Sequence, residues 1–206
     1  MLIGLDFDNT IVSYDDVFWR SAFKYGLLSS QKPRSKSWVK STLIAADREP
    51  DWTWLQGQVY GPDILSALPT PGLLDCLALL RAEGHHFCIV SHKTQFPIRG
   101  DPHNLHDAAR AWINAYLQPH GFAFEEGQNL HFELTKEQKL MRIATLKPHV
   151  FVDDLEEVLK HPAFPAEVRA CWYRPRPANE ILQQAQSGLT TIGHWDELKA
   201  SLLPGQ

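Results

Sequence analysis

The chain has 206 residues, of which 44% are hydrophobic, so it can bury a sizeable core as one domain or as a core domain with an insertion. Its formal net charge of -4 and pI near 6.2 offer no basic surface for a nucleic-acid backbone. No apolar run reaches the roughly 18 residues that a membrane-spanning helix requires. We therefore expect a soluble protein that has neither nucleic acid nor a membrane as a partner.

The cysteines and the start of the chain bear on the cellular compartment. The 3 cysteines are odd in number, lie in apolar or amphipathic segments and include no Cys-x-x-Cys pair, which is typical of reduced, packed thiols. The first apolar segment begins at residue 2 and leaves no room for a cleavable signal peptide ahead of it. Both features predict a cytoplasmic protein.

The first apolar segment ends in two acidic residues. The stretch from Leu2 to Leu5 has the continuous apolar character of a buried strand, which places Asp6 at the edge where open parallel α/β sheets bind ligands. Side chains alternate along a strand, so Asp6 and Asp8 can point the same way, and two carboxylates held this close favour binding of a cation such as Mg²⁺. The alternative is a turn that is rich in Asp and Asn for conformational reasons of its own.

Residues 13–68 differ in character from the segments around them. They contain many aromatic residues and no clear strand pattern, while apolar spacing predicts one helix near Val17–Phe23 and a second near Trp38–Ile44. We interpret this stretch as a small helical insertion. Its basic side chains are candidates for an anion clamp, with a solvated surface as the alternative. They are Arg20, Lys24, Arg34, Lys36, Lys40 and Arg48.

A second apolar strand ends in a hydroxyl side chain. Residues 69–72 (Pro-Thr-Pro-Gly) begin an amphipathic helix that Gly84 ends, and the buried strand Phe87–Val90 leads from there to Ser91. A hydroxyl at a strand end can donate a hydrogen bond to a bound anion without competing as a nucleophile. Ser91 is therefore the second candidate site residue.

The segment after Ser91 is irregular. Prolines and a glycine in residues 95–104 exclude regular structure, and a clean helical pattern then starts at Leu105 with Asn104 as its N-cap. Because this loop leaves the ligand-binding edge, some of its side chains are candidates for substrate recognition. They are Lys93, Arg99, His103 and His106. The histidines have no Cys partner and no His-x-x-x-His spacing, so we expect solvated or core histidines and no zinc site.

A third apolar strand ends in two adjacent carboxylates. Residues 150–152 (Val-Phe-Val) lead directly to Asp153 and Asp154. The alternative is that Asp154 only N-caps the helix that follows it, which is a common use of aspartate. Upstream of this strand, Thr135 and Gln138 have the spacing of a capping box that opens another helix.

Together these segments resemble the haloacid-dehalogenase-like (HAD) superfamily, in which most members similar to this sequence are Mg²⁺-dependent phosphatases. Residues 6–10 match its first motif, Asp-x-Asp-x-Thr, Ser91 matches the second-motif hydroxyl, and the Asp153-Asp154 pair resembles the fourth motif. The family often has Gly-Asp at this last position, so Asp154 aligns with the usual direct metal ligand. The resemblance covers about residues 1–12 and 69–203.

The resemblance implies an α/β fold. This would be a Rossmann-like three-layer HAD core with a central parallel sheet, plus a small helical cap inserted after the first-motif strand. The core would comprise residues 1–12 and 69–206. Residues 13–68 would form the cap, which in this family closes over the active site and supplies substrate contacts.

The third motif of the family is a lysine, for which the chain offers three candidates. In a parallel α/β unit a helix begins at the edge where the preceding strand ended, so Lys147 would lie at the wrong end of its helix. Lys139, one turn inside the helix, is favoured over Lys136, which remains the alternative. Either lysine could instead be a solvated helix charge.

The activity that the resemblance implies is a Mg²⁺-dependent phosphomonoesterase acting on a small phosphorylated metabolite. Asp6 would attack phosphorus and form an aspartyl-phosphate. Asp8 would protonate the leaving alcohol and then activate the water that hydrolyses the intermediate. Ser91 and Lys139 would hold the phosphoryl oxygens, so that catalysis would consist mainly of positioning and charge stabilisation.

The resemblance also implies the cofactor, Mg²⁺. Its ligands would be Asp6, Asp154 and the backbone carbonyl of Asp8, with Asp153 assisting through water or hydrogen bonds. Two other activities stay open: a phosphotransferase or phosphomutase of the same fold, and a non-catalytic protein that binds phosphate esters. The intact acidic groups argue against the last of these.

Overall fold

The chain divides into two compact units. The computed structural model describes residues 1–29, 35–175 and 189–202. The first unit comprises Met1–Ile11, Pro69–His92 and Phe124–Gln206, and the second comprises Val12–Leu68 and Lys93–Ala123. The predicted division into a core and a cap stays a prediction, and the second unit takes in residues 93–123 in addition to residues 12–68.

Strands and helices alternate along much of the chain. The strands are β1 (Leu2–Leu5), β2 (Val12–Ser13), β3 (Leu68–Pro69), β4 (His86–His92), β5 (Leu130–Glu133), β6 (Val150–Asp153), β7 (Arg169–Tyr173) and β8 (Thr190–Ile192). The α-helices are α1 (Asp15–Lys24), α2 (Lys36–Ala45), α3 (Glu49–Tyr60), α4 (Leu73–Ala82), α5 (Leu105–Tyr116), α6 (Lys136–Leu146), α7 (Glu156–Leu159) and α8 (Trp195–Leu202). Within these described ranges, none of the helices has the length and apolar content needed to cross a membrane.

A six-stranded sheet forms the centre of the first unit. Its strand order is β5-β4-β1-β6-β7-β8, and all neighbouring strands are parallel. The apolar runs of β1, β4 and β6 suit this arrangement, because a central parallel strand is covered on both faces. The predicted α/β class with a central parallel sheet is therefore confirmed. The short strands β2 and β3 form a separate two-stranded sheet.

Apolar side chains of β4 and β6, of helices α6 and α7 and of the segment before β7 pack into one buried cluster. Its members are Cys88, Val90, Ile143, Phe151, Leu159 and Val168. Next to the cluster, β1 approaches the Phe151 ring so closely that a Cβ at Gly4 would lie 2.5 Å from ring atom Cδ2. A glycine is therefore required in the middle of β1, because any side chain there would displace Phe151.

The register of the central strands brings their carboxyl ends to one edge. Leu5 of β1 pairs with Ile89 of β4 on one side and with Val152 of β6 on the other. The carboxyl ends of β1, β4 and β6 therefore lie side by side at one edge of the sheet, as predicted for parallel strands.

The helix boundaries agree with the local signals in the sequence. Gly84 lies just after α4 with a φ of 79°, the left-handed conformation expected of a glycine at a helix C-terminus. The Asn104 side chain accepts hydrogen bonds from two backbone N–H groups in the first turn of α5. Thr135 and Gln138 form the predicted capping box of α6.

The second unit is helical, as predicted for residues 13–68. Helices α1, α2 and α3 pack against one another, and α5 packs against α3. Aromatic rings fill the space between these helices, with Phe18 stacked on Trp52 at a centroid distance of 4.9 Å and Tyr14 edge-on to Tyr60 at 5.0 Å. Three of the aromatic residues of this stretch, Tyr14, Phe18 and Trp52, are therefore buried core residues, whereas others such as Trp38 and Trp54 are only partly buried.

Candidate active site

Three adjacent strands of the sheet end in polar side chains. Asp6 directly follows β1, and its backbone N–H continues the strand ladder by donating to the Val152 carbonyl at 2.9 Å. Ser91 is the second-last residue of β4, and Asp153 is the last residue of β6. All three side chains are buried. Because a buried charge requires a nearby partner, this edge needs a cation.

Lys139 supplies that charge. Its Nζ lies 2.6 Å from Asp6 Oδ1 and 2.6 Å from Asp153 Oδ2, and the side chain is 2% exposed. Burial by itself lowers the pKa of Lys139, but attraction to the two carboxylates outweighs burial and raises the pKa above its ordinary value. The upward shift favours the charged form of the lysine between the two aspartates.

The other two candidate lysines lie elsewhere. Lys136, in the first turn of α6, forms an exposed ion pair with Glu157. Lys147 adopts a left-handed conformation just after the last residue of the same helix, at the end opposite to Asp6. Among these three lysines, Lys139 is the one that the structure brings to Asp6.

Two hydroxyl groups orient the carboxylate of Asp6. Ser91 Oγ donates to Oδ1 at 2.9 Å, and Thr10 Oγ1 donates to Oδ2 at 3.4 Å. Thr10 Oγ1 also accepts the backbone N–H of Asp154 at 3.1 Å. The threonine of the first motif thus connects the predicted nucleophile to the segment that carries the fourth motif.

Three carboxylates converge at this edge. Asp6, Asp153 and Asp154 each offer an oxygen within 4.8 Å of the others, and they are the only group of three or more His, Cys, Asp or Glu side chains within residues 1–29, 35–175 and 189–202 that is close enough to hold a metal ion. Closely spaced carboxylate oxygens are the donors that Mg²⁺ prefers. The donor set therefore fits the predicted cofactor.

Burial and the charge of Lys139 act in opposite directions on the pKa of Asp153. Burial raises its pKa, and the nearby Asp6 carboxylate raises it further, whereas Lys139 and a hydrogen bond from the Leu155 N–H lower it. The net shift of the Asp153 pKa is upward.

Asp8 follows Asp6 by two residues and is partly exposed, a position compatible with its predicted role in proton transfer.

Asp154 is not the N-cap residue of the helix that follows it. Helix α7 begins at Glu156, and its N-cap residue is Leu155, which makes no side-chain cap hydrogen bond. Instead, the Asp154 backbone carbonyl accepts the indole N–H of Trp172 in β7 at 3.0 Å. Sequence reasoning missed Trp172, since only the pairing of β6 with β7 brings it beside the fourth motif.

The candidates for substrate recognition lie in the second unit. The ammonium group of Lys93 lies 5.0 Å from the centre of the Tyr60 ring, and the Lys93 carbonyl accepts a hydrogen bond from His106 Nε2 at 2.8 Å. Arg99 is exposed, and His103 is partly exposed.

Several basic residues of the predicted insertion already have acidic partners within this unit. Arg20 pairs with Asp16, Lys24 with Asp63, and Arg48 with Asp51. Arg34 lies outside the described residues.

No protein-family model matches the sequence, and no curated protein matches it either. The fold, in contrast, is similar to several solved structures. A predicted phosphatase from Clostridium acetobutylicum superposes with a TM-score of 0.59 at 11% identity, covering 98% of this chain and 97% of its own. A HAD family hydrolase from Deinococcus radiodurans, solved with bound phosphate and sodium, gives 0.57 at 14% identity over 98% and 94% of the two chains.

A third similar structure is a predicted phosphoglycolate phosphatase from Haemophilus somnus. It has a TM-score of 0.53 at 19% identity, over 97% of each chain. At these identities the similarity demonstrates a common fold. The chain therefore has the HAD-like fold, as the resemblance of its motifs implied.

Proposed function

We propose that this protein is a Mg²⁺-dependent phosphomonoesterase that cleaves a small phosphorylated metabolite through an aspartyl-phosphate intermediate. The observation that carries the proposal is the placement of Lys139. Its ammonium group bridges Asp6 and Asp153 at 2.6 Å each, while Ser91 donates to the same Asp6 oxygen at 2.9 Å. The proposed nucleophile, a cation and a hydroxyl donor thus lie together at the carboxyl edge of the sheet, where ligands bind in open parallel α/β folds.

The chemistry follows from the roles that these groups can take. An oxygen of Asp6 attacks phosphorus, the bond between phosphorus and the ester oxygen breaks, and Asp8 gives a proton to the departing alkoxide. Lys139 and Ser91 stabilise the negative charge of the phosphoryl oxygens by charge and hydrogen bonding. Asp6, Asp154 and the backbone carbonyl of Asp8 would hold Mg²⁺, with Asp153 assisting from the same carboxylate cluster, and the bound ion would supply positive charge that reduces repulsion between carboxylate and phosphate.

The second half of the reaction regenerates the enzyme. Asp8, now a carboxylate, takes a proton from water, the oxygen of that water attacks phosphorus, and the bond from phosphorus to Asp6 breaks. Inorganic phosphate leaves, and Asp6 is again a carboxylate hydrogen-bonded by Ser91 and Thr10.

We place the protein in the cytoplasm, a proposal supported by its three buried, free cysteines.

Phosphate release from a broad panel of phosphate esters tests the proposal. The assay is run with Mg²⁺, with EDTA, and with the variant Asp6→Asn. Asp75→Asn, at an exposed position of α4, is the matched control for the same substitution. We expect release that is abolished by EDTA and by Asp6→Asn and is unchanged in Asp75→Asn.

The other outcomes identify the alternatives. Transfer of the phosphoryl group to a second alcohol, without free phosphate, would indicate a phosphotransferase or phosphomutase. Binding of esters with neither release nor transfer would indicate a non-catalytic protein. Release that persists in Asp6→Asn would refute the assignment of the nucleophile.

A further inference from the structure

Buried hydrogen bonds connect the nucleophile turn, which we define as residues 6–11, to the start of helix α8. We propose that Thr70 and Trp195 are positioning residues for the reaction, because together they hold the turn that presents Asp6. The proposal rests on the proposed function and concerns the same site. Neither residue was singled out by the sequence motifs.

Thr70 holds the far end of the nucleophile turn with hydrogen bonds from its backbone and from its side chain. Its backbone N–H donates to the Ile11 carbonyl at 3.0 Å, and its hydroxyl donates to the Thr10 carbonyl at 2.9 Å. Thr70 is buried, so water cannot replace these bonds at low cost if they are lost. The turn also contains Asn9 at a φ of 59°, the left-handed conformation that asparagine adopts more readily than most other non-glycine residues.

Trp195 fixes the hydroxyl of Thr70. The indole N–H of Trp195 donates to Thr70 Oγ1 at 2.8 Å, which leaves the hydroxyl proton of Thr70 for the carbonyls of the nucleophile turn, that of Thr10 at 2.9 Å and that of Ile11 at 3.5 Å. The indole is fully buried and stacks on the Tyr173 ring at a centroid distance of 5.0 Å and an interplanar angle of 28°. This donor therefore approaches from a rigid position.

Thr10, whose carbonyl accepts the hydrogen bond from the Thr70 hydroxyl, also links Asp6 to Asp154 in the candidate site. The Thr10 side chain donates to Asp6 Oδ2 at 3.4 Å and accepts the N–H of Asp154 at 3.1 Å. A shift of Thr10 would therefore move the nucleophile relative to a candidate metal ligand. Misplacement of reacting groups by about 1 Å can reduce a rate by about a hundredfold.

Variants of Thr70 and Trp195 test the proposal through kcat, KM and the Mg²⁺ dissociation constant measured by calorimetry. We expect Thr70→Val to lower kcat by about tenfold or more and to weaken Mg²⁺ binding, with little change in KM. Thr70→Ser, which keeps the hydroxyl, should behave like the wild type. Trp195→Phe should have a smaller effect than Thr70→Val, and the double variant should be no worse than Thr70→Val, because both changes remove one chain of bonds.

Trp112→Phe is the matched control. Trp112 is also fully buried, and its indole N–H donates to a backbone carbonyl, that of Ala67, at 2.8 Å within the second unit. This substitution should lower the melting temperature about as much as Trp195→Phe while leaving kcat and Mg²⁺ binding unchanged. A merely structural role for Trp195 predicts the same result for both tryptophan variants and would overturn the proposal.

The outcomes separate this proposal from the proposed function. If the wild type binds Mg²⁺ but turns over no ester, the phosphatase assignment fails, and the Mg²⁺ affinity of Thr70→Val decides whether the turn is held as inferred. A folded Thr70→Val that matches the wild type in both kcat and Mg²⁺ affinity refutes the positioning role. If Thr70→Val does not fold, the comparison of Trp195→Phe with Trp112→Phe decides. A wild type that neither binds Mg²⁺ nor turns over refutes both proposals.

Discussion

Replacing Lys139 by methionine removes one buried charge from the carboxyl edge of the sheet and leaves the buried carboxylates of Asp6 and Asp153 without their shared cation. Methionine has a similar length and volume, so Lys139→Met creates little cavity and isolates the loss of charge. In the wild type the ammonium lies 2.6 Å from both Asp6 and Asp153, whose side chains are 6% and 0% exposed. The variant therefore reports how far these carboxylates depend on the lysine.

The magnitude of the expected loss follows from the burial of the pair. Removing one partner of a buried ion pair costs about 3–5 kcal/mol, because the other charge stays in a medium of low polarity. A domain of this size typically has a free energy of unfolding of about 5–15 kcal/mol, so the loss would be a large part of the total. With about 2–4 °C for each kcal/mol, the melting temperature should fall by roughly 6–20 °C.

The loss should depend on pH through Asp153. Burial raises the pKa of Asp153 in the folded protein, so the fold favours its neutral form, and the stability that this form provides is lost as pH rises through the raised value. Lys139 opposes that rise, so its removal shifts the pKa of Asp153 further upward. We therefore expect the destabilisation of Lys139→Met to be smaller at pH 5 than at pH 8, by about 1 kcal/mol or more.

Urea denaturation at pH 5 and pH 8 in the presence of EDTA measures both effects without competition from metal. Lys136→Met, in the same helix, is the matched control, because Lys136 pairs with Glu157 at the surface and is 46% exposed. Its expected cost is less than about 1 kcal/mol. A free energy of unfolding for Lys139→Met that equals that of Lys136→Met at pH 8 would show that Asp6 and Asp153 do not depend on the lysine.

Two substitutions and one chemical-labelling experiment test other parts of the structure. In α3, a Cβ at Gly57 would lie 2.8 Å from Pro97 Cβ. Gly57→Ala should therefore lower the free energy of unfolding by about 1–3 kcal/mol, although alanine has the better helix propensity. An increase in melting temperature would contradict this contact. Trp172→Phe removes the hydrogen bond of 3.0 Å to the Asp154 carbonyl and should raise the Mg²⁺ concentration needed for half-maximal activity several-fold; an unchanged metal titration would argue against this support. Burial raises the pKa of all three thiols to about 12, so a thiol reagent at pH 8 should react with none of them in the native protein and with all of them in denaturant.

The sheet edge was the part of the molecule most open to prediction. Strands β1, β4 and β6 are continuous apolar runs, and each is followed closely by a polar residue, so the rule for parallel sheets brings Asp6, Ser91 and Asp153 together without a structure. The choice between Lys136 and Lys139 was harder, because residues three apart lie on nearly the same face of a helix. The structure distinguishes them by depth, since Lys139 lies one turn further along α6 and is buried.

What could not be predicted depends on contacts between distant segments. Helix α3 escaped prediction because a glycine and a buried glutamine, Gly57 and Gln58, interrupt its apolar pattern. Strand β8 has only three residues, which is too short for a periodic signal. The bond from Trp195 to Thr70 joins residues 125 positions apart, and no local pattern encodes such a pairing.

The charges at the sheet edge explain why a lysine and a divalent cation would both be needed. The carboxylates of Asp6, Asp153 and Asp154 outnumber the ammonium group of Lys139 that bridges two of them, so these four groups, when ionised, together carry excess negative charge and would repel a phosphate ester. Lys139 already lies within hydrogen-bonding distance of two of these carboxylates, those of Asp6 and Asp153, and its raised pKa keeps it charged throughout the neutral range. It therefore holds the carboxylates in place but cannot by itself reverse the sign of the site. A phosphate ester should consequently bind well only after a divalent cation has supplied the remaining positive charge.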